Sequence, residues 1–294
     1  MKVLVTGSNG QIGSTIKRFS SHFVNNKIYF VDKASLNFCK KDNIYSFFKE
    51  NKFDLIINCA GYTNVDDAET NILEAETSNS QSLEWIYEAN KNNDIHFIHL
   101  STSYVFNGNK KNPYTEDDLT DPLSTYGKSK LSGENVVKNC FKKFNIIRTT
   151  WLYSEYGNNF LNKIVNVSQG KKEIAVIDDQ FGSPTYTPDI AKSILQVIDN
   201  RKNLNKLIEN PILHYANKEV VSRYSFVKKT LDLISSECNV SPISTKDYSG
   251  KILAVRPANS ALSTKKFEKI FEIEVPSWQE SLKKCTTNSP WSSK

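Results

Sequence analysis

Long apolar runs are missing from this 294-residue chain. No stretch approaches the ~20 residues needed to cross a bilayer, so no membrane span is expected. Paired cysteines are missing as well. Cys39, Cys59, Cys140, Cys238 and Cys285 are odd in number and widely spread, with no CxxC and no His/Cys cluster. That pattern argues against structural zinc or any other metal site, and for reduced thiols in a cytoplasmic protein. The first strand pattern starts at residue 2, which leaves no room for a secretory leader. The formal charge is +6, but the lysines are scattered among 32 acidic residues. No basic stripe interleaves with aromatics, so a nucleic-acid groove is not expected. The mild positive field suits capture of a small anion such as a diphosphate. Repeats and low-complexity tracts are also lacking.

What is present begins with glycines at three-residue intervals: Gly7, Gly10 and Gly13, in Val3–Gly13. They follow an apolar run of strand length and precede Ile16, Phe19 and Phe23, which share one helical face. A strand, a glycine loop and a helix N-terminus together make a phosphate cradle. Gly7 allows the tight turn, Gly10 brings a diphosphate close to bare backbone, and Gly13 lets the helix pack near the strand. Further strand-like runs lie at 27–31, 54–58, 96–101 and 145–149, with helical patterns at 14–23, 43–51, 65–92 and 126–140. Strands apolar almost throughout imply burial on both faces, hence a parallel sheet. The predicted fold is α/β, a doubly wound parallel sheet of Rossmann type with a GxxGxxG loop and a smaller C-terminal substrate-binding lobe. Residues 1–150 form the NAD(P)-binding part. Residues 151–294 form the lobe, with some elements returning to the sheet. Its patterns are a helix at 158–168, a strand at 173–177, a helix at 188–200 and a strand at 212–216. In such sheets the ligand lies at the carboxyl ends of the strands.

Asp32 ends the second strand and can accept hydrogen bonds from an adenosine ribose, which favours NADH over NADPH. Lys33 beside it offsets that preference, so both coenzymes stay open. Asn58-Cys59-Ala60-Gly61 closes the third strand with small residues over which a cofactor can lie. The pair Tyr126/Lys130 shares one helix face, where an ammonium is expected to lower the phenol toward neutrality and make it a proton donor. The YxxxK spacing occurs five times, at Tyr29, Tyr45, Tyr87, Tyr126 and Tyr224. Only Tyr126 follows a loop, 121–125, that starts a helix beyond a strand, and only it has Ser101-Thr102-Ser103 at the preceding strand's end. A hydroxyl there completes a donor pair on a carbonyl oxygen. His22, His96, His99 and His214 read as core or surface residues. Asp66, Asp67 and Glu69 read as the exposed first turn of a helix.

Together these residues resemble the extended short-chain dehydrogenase/reductases, and within them the dTDP-4-dehydrorhamnose reductase family. The resemblance runs end to end, through 54–63 with Val65-Asp66, 101–106, Tyr126–Lys130 with Gly133-Glu134, 148–151, 157–160, 179–185 and 256–260. It implies hydride transfer from NADPH or NADH to the C4 carbonyl of a nucleotide-linked 6-deoxyhexulose. Tyr126 is then the proton donor, Lys130 its tuner and ribose holder, and Thr102 a hydrogen-bond partner of the carbonyl region. Gly7, Gly10, Gln11, Ile12 and Gly13 cradle the diphosphate, and Asp32, Asn37 and Phe38 flank the adenosine. Ala60, Gly61, Tyr62 and Thr63 border the cofactor. Thr102, Ser103, Tyr104, Trp151 and Arg256 face the sugar nucleotide, although a core role for Trp151 fits equally well. The chain departs from the family pattern at Ser103, Asn37 and Asp67, where Asp, Asp and Lys are usual. Glutamates that bind magnesium at a dimer contact in some relatives are not evident, so a homodimer is compatible but a magnesium-linked one is not implied. Ser103 motivates another NDP-sugar as substrate. The remaining alternative is a dinucleotide-binding regulatory subunit, as in methionine adenosyltransferase.

Overall fold

A computed structural model describes residues 1–248, 250 and 253–291. The first half alternates β1 (Lys2–Thr6), α1 (Gln11–Phe19), β2 (Lys27–Phe30), α2 (Lys41–Glu50), β3 (Leu55–Asn58), α3 (Ile72–Glu76), α4 (Ser82–Asn90), β4 (His96–Thr102), α5 (Thr125–Cys140) and β5 (Lys143–Thr149). The second half opens with β6 (Leu152–Tyr153), α6 (Phe160–Ser168), β7 (Glu173–Ile177), β8 (Phe181–Gly182), β9 (Thr185–Tyr186) and α7 (Thr187–Asp199). It continues with α8 (Arg201–Glu209), β10 (Ile212–His214), β11 (Val221–Ser222), α9 (Arg223–Leu233), β12 (Asn239–Ile243), α10 (Lys265–Phe271) and α11 (Trp278–Thr287).

Six strands form one parallel sheet in the order β10-β5-β4-β3-β1-β2. The chain steps outward from β1 to β2, then returns to the other side of β1 at β3. That reversal opens the ligand crevice beyond the ends of β1 and β3. Alternate residues serve opposite faces. Val3, Val5, Leu55, Ile57, Ile98 and Ile147 pack with Ile16, Ile190 and Ile194 on one side. Leu4, Ile56, Phe97 and Ile146 pack with Phe48, Leu83, Ile86 and Val137 on the other. The expected burial of both faces is therefore observed.

The later elements divide between two places. Helix α7 joins the core cluster under β1, and β10 pairs with β5, Ile212 opposite Ile146. Tyr153, Tyr186, Phe226 and Trp278 build a separate cluster beyond the sheet, with Tyr153 and Phe226 edge-on at 5.2 Å.

One expected element is different. The helical pattern at 65–92 breaks into a 3₁₀ turn at Asp67–Glu69, helix α3, a π turn at Thr77–Gln81 and helix α4. The π turn carries Asn79, which is 1 % exposed. Its amide accepts from Tyr62 N–H at 2.8 Å and donates to Tyr62 O at 3.1 Å and Ser129 Oγ at 2.9 Å. Those bonds pull the residue inward, and the helix widens by one residue to allow it.

Candidate active site

Beyond β1 the chain turns at Gly7, whose φ of +64° is costly for any residue with a Cβ. A Cβ on Gly13 would stand 2.3 Å from Gly7 O, so only glycine lets α1 start against the strand. Gly10 caps α1 without a side chain, and the first turn carries no acidic residue. The N-terminal N–H groups of α1 thus meet no built-in anion. The buried Gln11 Oε1 beside them has no hydrogen-bond partner. A bare backbone cradle, free N–H donors and an unmatched amide suit a dinucleotide's diphosphate. At the end of β2, Asp32 accepts from Asn9 Nδ2 at 3.0 Å and from Ala34 and Ser35 N–H at 3.1 Å. The Ser35 bonds hold its carboxyl below the usual range. Lys33 leans 3.5 Å from Glu74.

These groups border a cleft of about 840 Å³. Gly7, Gly10, Gln11, Ile12 and Asp32 line it, as do Asn37, Phe38, Ala60, Gly61, Tyr62 and Thr63. Thr102, Tyr104, Tyr126, Lys130, Trp151 and Arg256 line the remainder. Gly13 and Ser103 stand behind the wall. Gly13 does so because it packs on Gly7, as expected. Ser103 corrects the sequence reading: it is fully buried, and its hydroxyl donates to Thr150 Oγ1 at 2.8 Å rather than facing the cleft.

Helix α5 presents Tyr126 and Lys130 to this cleft. Ser124 caps the helix by accepting from Gly127 N–H at 3.1 Å. Glu69 adds a second cap, accepting from Thr125 N–H at 2.9 Å and Thr125 Oγ1 at 2.7 Å. The helix therefore begins in a fixed place, one residue before the candidate acid. Thr102, at the end of β4, accepts from Tyr104 N–H at 3.2 Å and lines the same cleft as the Tyr126 phenol. Burial pushes that phenol up to about 12, and the Thr102 hydroxyl offsets part of the rise. The expected lowering by Lys130 is not what the geometry gives. Lys130 Nζ donates to Leu100 O at 2.7 Å and lies 3.1 Å from His99 Nε2. Burial brings its ammonium down to about 8, while Glu134 pulls the other way.

Behind Lys130, Glu134 and Arg148 form a buried bidentate pair at 2.8 and 2.7 Å, with Ser101 Oγ donating to Glu134 at 2.6 Å. Burial alone would raise Glu134, but Arg148 and Ser101 hold it below the usual range.

The far half of the cleft carries two arginines. Arg223, missed by sequence reasoning, lies 4.5 Å over the Trp151 ring and donates through Nε to Gln180 at 2.8 Å. Burial lowers its guanidinium, partly offset by the Tyr104 hydroxyl. Arg256 holds Asp66 through both terminal nitrogens, at 3.1 and 2.6 Å. Asp66 also accepts from the N–H groups of Leu253 and Ala254, both at 3.1 Å. The acidic trio is thus no exposed helical turn: Asp66 ties down the segment leading to Arg256, Asp67 accepts from the Tyr62 hydroxyl, and Glu69 caps α5. Trp151 adopts φ of +43°, and its indole fills the space where a Gly182 Cβ would sit, 2.5 Å away. Such strain at a cleft wall is characteristic of a functional position. Among the described residues, no group of three or more His, Cys, Asp and Glu side chains is placed to hold a metal, and no helix is long and apolar enough to cross a membrane.

A glycine cradle at the end of β1, sharing a cleft with Thr102 at the end of β4 and with Tyr126 and Lys130 on α5, defines a dinucleotide-dependent oxidoreductase of the short-chain dehydrogenase/reductase class. The model of the RmlD substrate binding domain matches residues 1–290. The chain belongs to that family, the dTDP-4-dehydrorhamnose reductases. It is 33% identical over 288 residues to "dTDP-4-dehydrorhamnose reductase" of Aggregatibacter actinomycetemcomitans, covering 96% of this chain and 97% of that protein. It is 32% identical to the Bacillus subtilis "Spore coat polysaccharide biosynthesis protein SpsK", covering 96% and 95%. Among solved structures, a dTDP-4-dehydrorhamnose reductase from Clostridium acetobutylicum superposes with a TM-score of 0.89 at 34% identity, covering 97% and 98%. One from Bacillus anthracis, in complex with NADP, gives 0.87 at 31% identity, covering 98% and 99%.

Proposed function

We propose that the chain reduces the C4 carbonyl of dTDP-4-dehydro-6-deoxy-L-mannose to give dTDP-L-rhamnose, with NADPH or NADH as coenzyme. The observation that carries this is that Thr102, Tyr126 and Lys130 line one cleft with the glycine cradle, in a chain that matches the reductase family over nearly its whole length. When bound, the reduced nicotinamide supplies the hydride. The chain's own groups supply the rest. The backbone N–H groups around Gly10, Gln11 and Ile12 receive the diphosphate, and Asp32 receives the adenosine ribose. Lys130 is placed to hold the nicotinamide ribose. Tyr126 donates its proton to the carbonyl oxygen as carbon is reduced, leaving a phenolate that is reprotonated from solvent. A phenol held near 12 keeps its proton at neutral pH, and it still gives that proton readily to the far more basic alkoxide forming in front of it. The Thr102 hydroxyl steadies the same oxygen.

We assign dinucleotide binding to residues 1–150 and the sugar-nucleotide face to residues 151–294, with β10 and α7 lent back to the sheet. Arg223, stacked on Trp151, supplies positive charge that an anionic sugar nucleotide needs, and Arg256, whose charge Asp66 balances, lines the same face. The test is oxidation of NADPH and NADH by the purified chain, offered dTDP-4-dehydro-6-deoxy-L-mannose and other 4-keto NDP-sugars. Turnover highest with the dTDP-linked substrate supports the reading. A different preferred sugar moves the specificity. Stoichiometric coenzyme binding without turnover of any of them sinks the enzyme and favours a dinucleotide-binding regulatory subunit.

A further inference from the structure

Three residues along the cleft keep a buried polar atom with no hydrogen-bond partner among the described residues: Gln11, Tyr153 and Thr149. An unmatched buried polar atom is costly, so each marks a place where something outside the chain can complete the bond. Gln11 has the diphosphate beside it. The Tyr153 ring belongs to the aromatic cluster of the lobe. Thr149, which is 5 % exposed and closes β5, has no such account. Its neighbour Thr150 is engaged, accepting from Ser103. In the parallel register Ile147 stands opposite Leu100 and Thr149 opposite Thr102. Ile147 and Leu100 both belong to the core cluster on the α1 side of the sheet. Side chains two positions apart on a strand share a face, so Thr149 points to that side as well. The cleft wall there is apolar: Ile12 and Leu100 come from the cluster, and Cys59 and Leu152 pack against it.

We propose that the Thr149 hydroxyl binds the carboxamide of the coenzyme's nicotinamide and so limits rotation of that ring about its bond to the ribose. A reduced nicotinamide ring is flat and uncharged, with one strongly polar substituent. A single hydroxyl in an apolar wall matches it. A sugar nucleotide is polar on every side and needs several partners; Tyr104, Arg223 and Arg256 offer them in the other half of the cleft. The spacing agrees. The end of β4 lies two strand spacings from β1, about 10 Å, and the end of β5 one spacing further. A ribose and a pyridine ring leaving a diphosphate at β1 span the first of these distances, which brings the substituent on the ring toward β5. The hydroxyl has one hydrogen to give and two lone pairs, so it can serve either end of an amide. The assignment rests on the coenzyme-dependent reading of the site.

The test measures coenzyme binding to the whole chain, with no sugar nucleotide and no turnover. Thr149→Val keeps the shape of the side chain and removes its hydroxyl. Calorimetric titration should show NADPH and NADH held about tenfold more weakly than by the parent, the loss expected when a buried amide forfeits its partner. ADP-ribose, which carries the adenosine and diphosphate but no pyridine ring, should bind parent and variant alike. Thr149→Ser keeps a hydroxyl and should recover most of the affinity. Without coenzyme, Thr149→Val should unfold at a temperature no lower than the parent, because the group it removes bonds nothing in the chain. Coenzyme affinity equal to the parent's, an equal loss for ADP-ribose, or a coenzyme-free variant that is destabilised overturns the proposal. Lost turnover with undiminished coenzyme binding gives the hydroxyl to the sugar and overturns it too. A parent that binds neither coenzyme is a different failure: it sinks the reductase reading, and this assignment with it.

Discussion

Gly133 passes so close beneath Asn79 that a Cβ on the glycine would stand 2.0 Å from the Asn79 carbonyl oxygen. The contact locks α5 to the π turn, and Asn79 in turn locks that turn to Tyr62. Gly133→Ala should therefore push α5 outward, costing about 1–3 kcal/mol and lowering kcat by displacing Tyr126 and Lys130. Gly170→Ala is the control. Its φ is +71° with nothing within 4 Å, so it should show backbone strain alone and an unchanged kcat. Thermal unfolding and steady-state rates on both variants check this; equal kcat in the two would refute the packing argument.

Tyr126→Phe should lower kcat by about 10²–10⁴ while coenzyme binding, followed by quenching of protein fluorescence, stays intact. Unchanged turnover would remove Tyr126 from the role of proton donor.

Lys130→Met should stabilise the protein. The folded-state value of Lys130 is near 8, below the ordinary ~10.4. A lowered lysine is a penalty that is fully present below about 8 and fades as pH rises toward 10.4. The gain is expected to be about 1–3 kcal/mol at pH 7, after allowing for the lost bond to Leu100 O, and smaller at pH 9.5. Urea unfolding at the two pH values measures it. A variant no more stable than the parent at pH 7 contradicts the burial argument.

Glu134→Gln should cost about 3–5 kcal/mol, because it strands the buried Arg148 guanidinium. Glu134 lies below its ordinary value when folded, so its contribution is present above about 4.3 and is lost as pH falls through the folded value. The stability gap between parent and variant should therefore narrow in acid. A gap independent of pH down to the acid transition argues against the pair as its source.

Asp32→Asn should raise the NADPH-to-NADH ratio of kcat/KM by roughly fivefold to tenfold, since it removes a negative charge from beside the 2′-position but keeps an oxygen for the Ser35 bonds. A ratio that does not move places the ribose elsewhere.

Much of this arrangement was legible in the sequence, for physical reasons that differ by element. β1, β3 and β4 showed as runs apolar almost throughout because both of their faces are covered. The glycine loop showed because backbone contacts such as Gly13 on Gly7 leave no room for side chains. Tyr126 stood out among five equal spacings through its place after a strand-end hydroxyl cluster. What stayed hidden depends on contacts across long separations. Glu69 meets Thr125 from 56 positions away, and Asn79 meets Ser129 from 50. Neither has a periodic signal. Arg223 opens an ordinary amphipathic helix, and only the fold brings it over Trp151. The direction of Lys130 was misjudged because helical spacing fixes where a side chain starts, whereas the partner at its tip is chosen by β4.

Strand β10 reaches the sheet more than sixty residues after β5, the strand it pairs with. A nascent chain leaving the ribosome must therefore carry the outer edge of β5 unpaired, with only its β4 side hydrogen-bonded, until Ile212–His214 emerges. Arg148, within that edge strand, also waits for His214. Expression of residues 1–150 alone should thus yield a sticky, aggregation-prone fragment, and stalls in translation just before residue 212 would hold the protein in that vulnerable form.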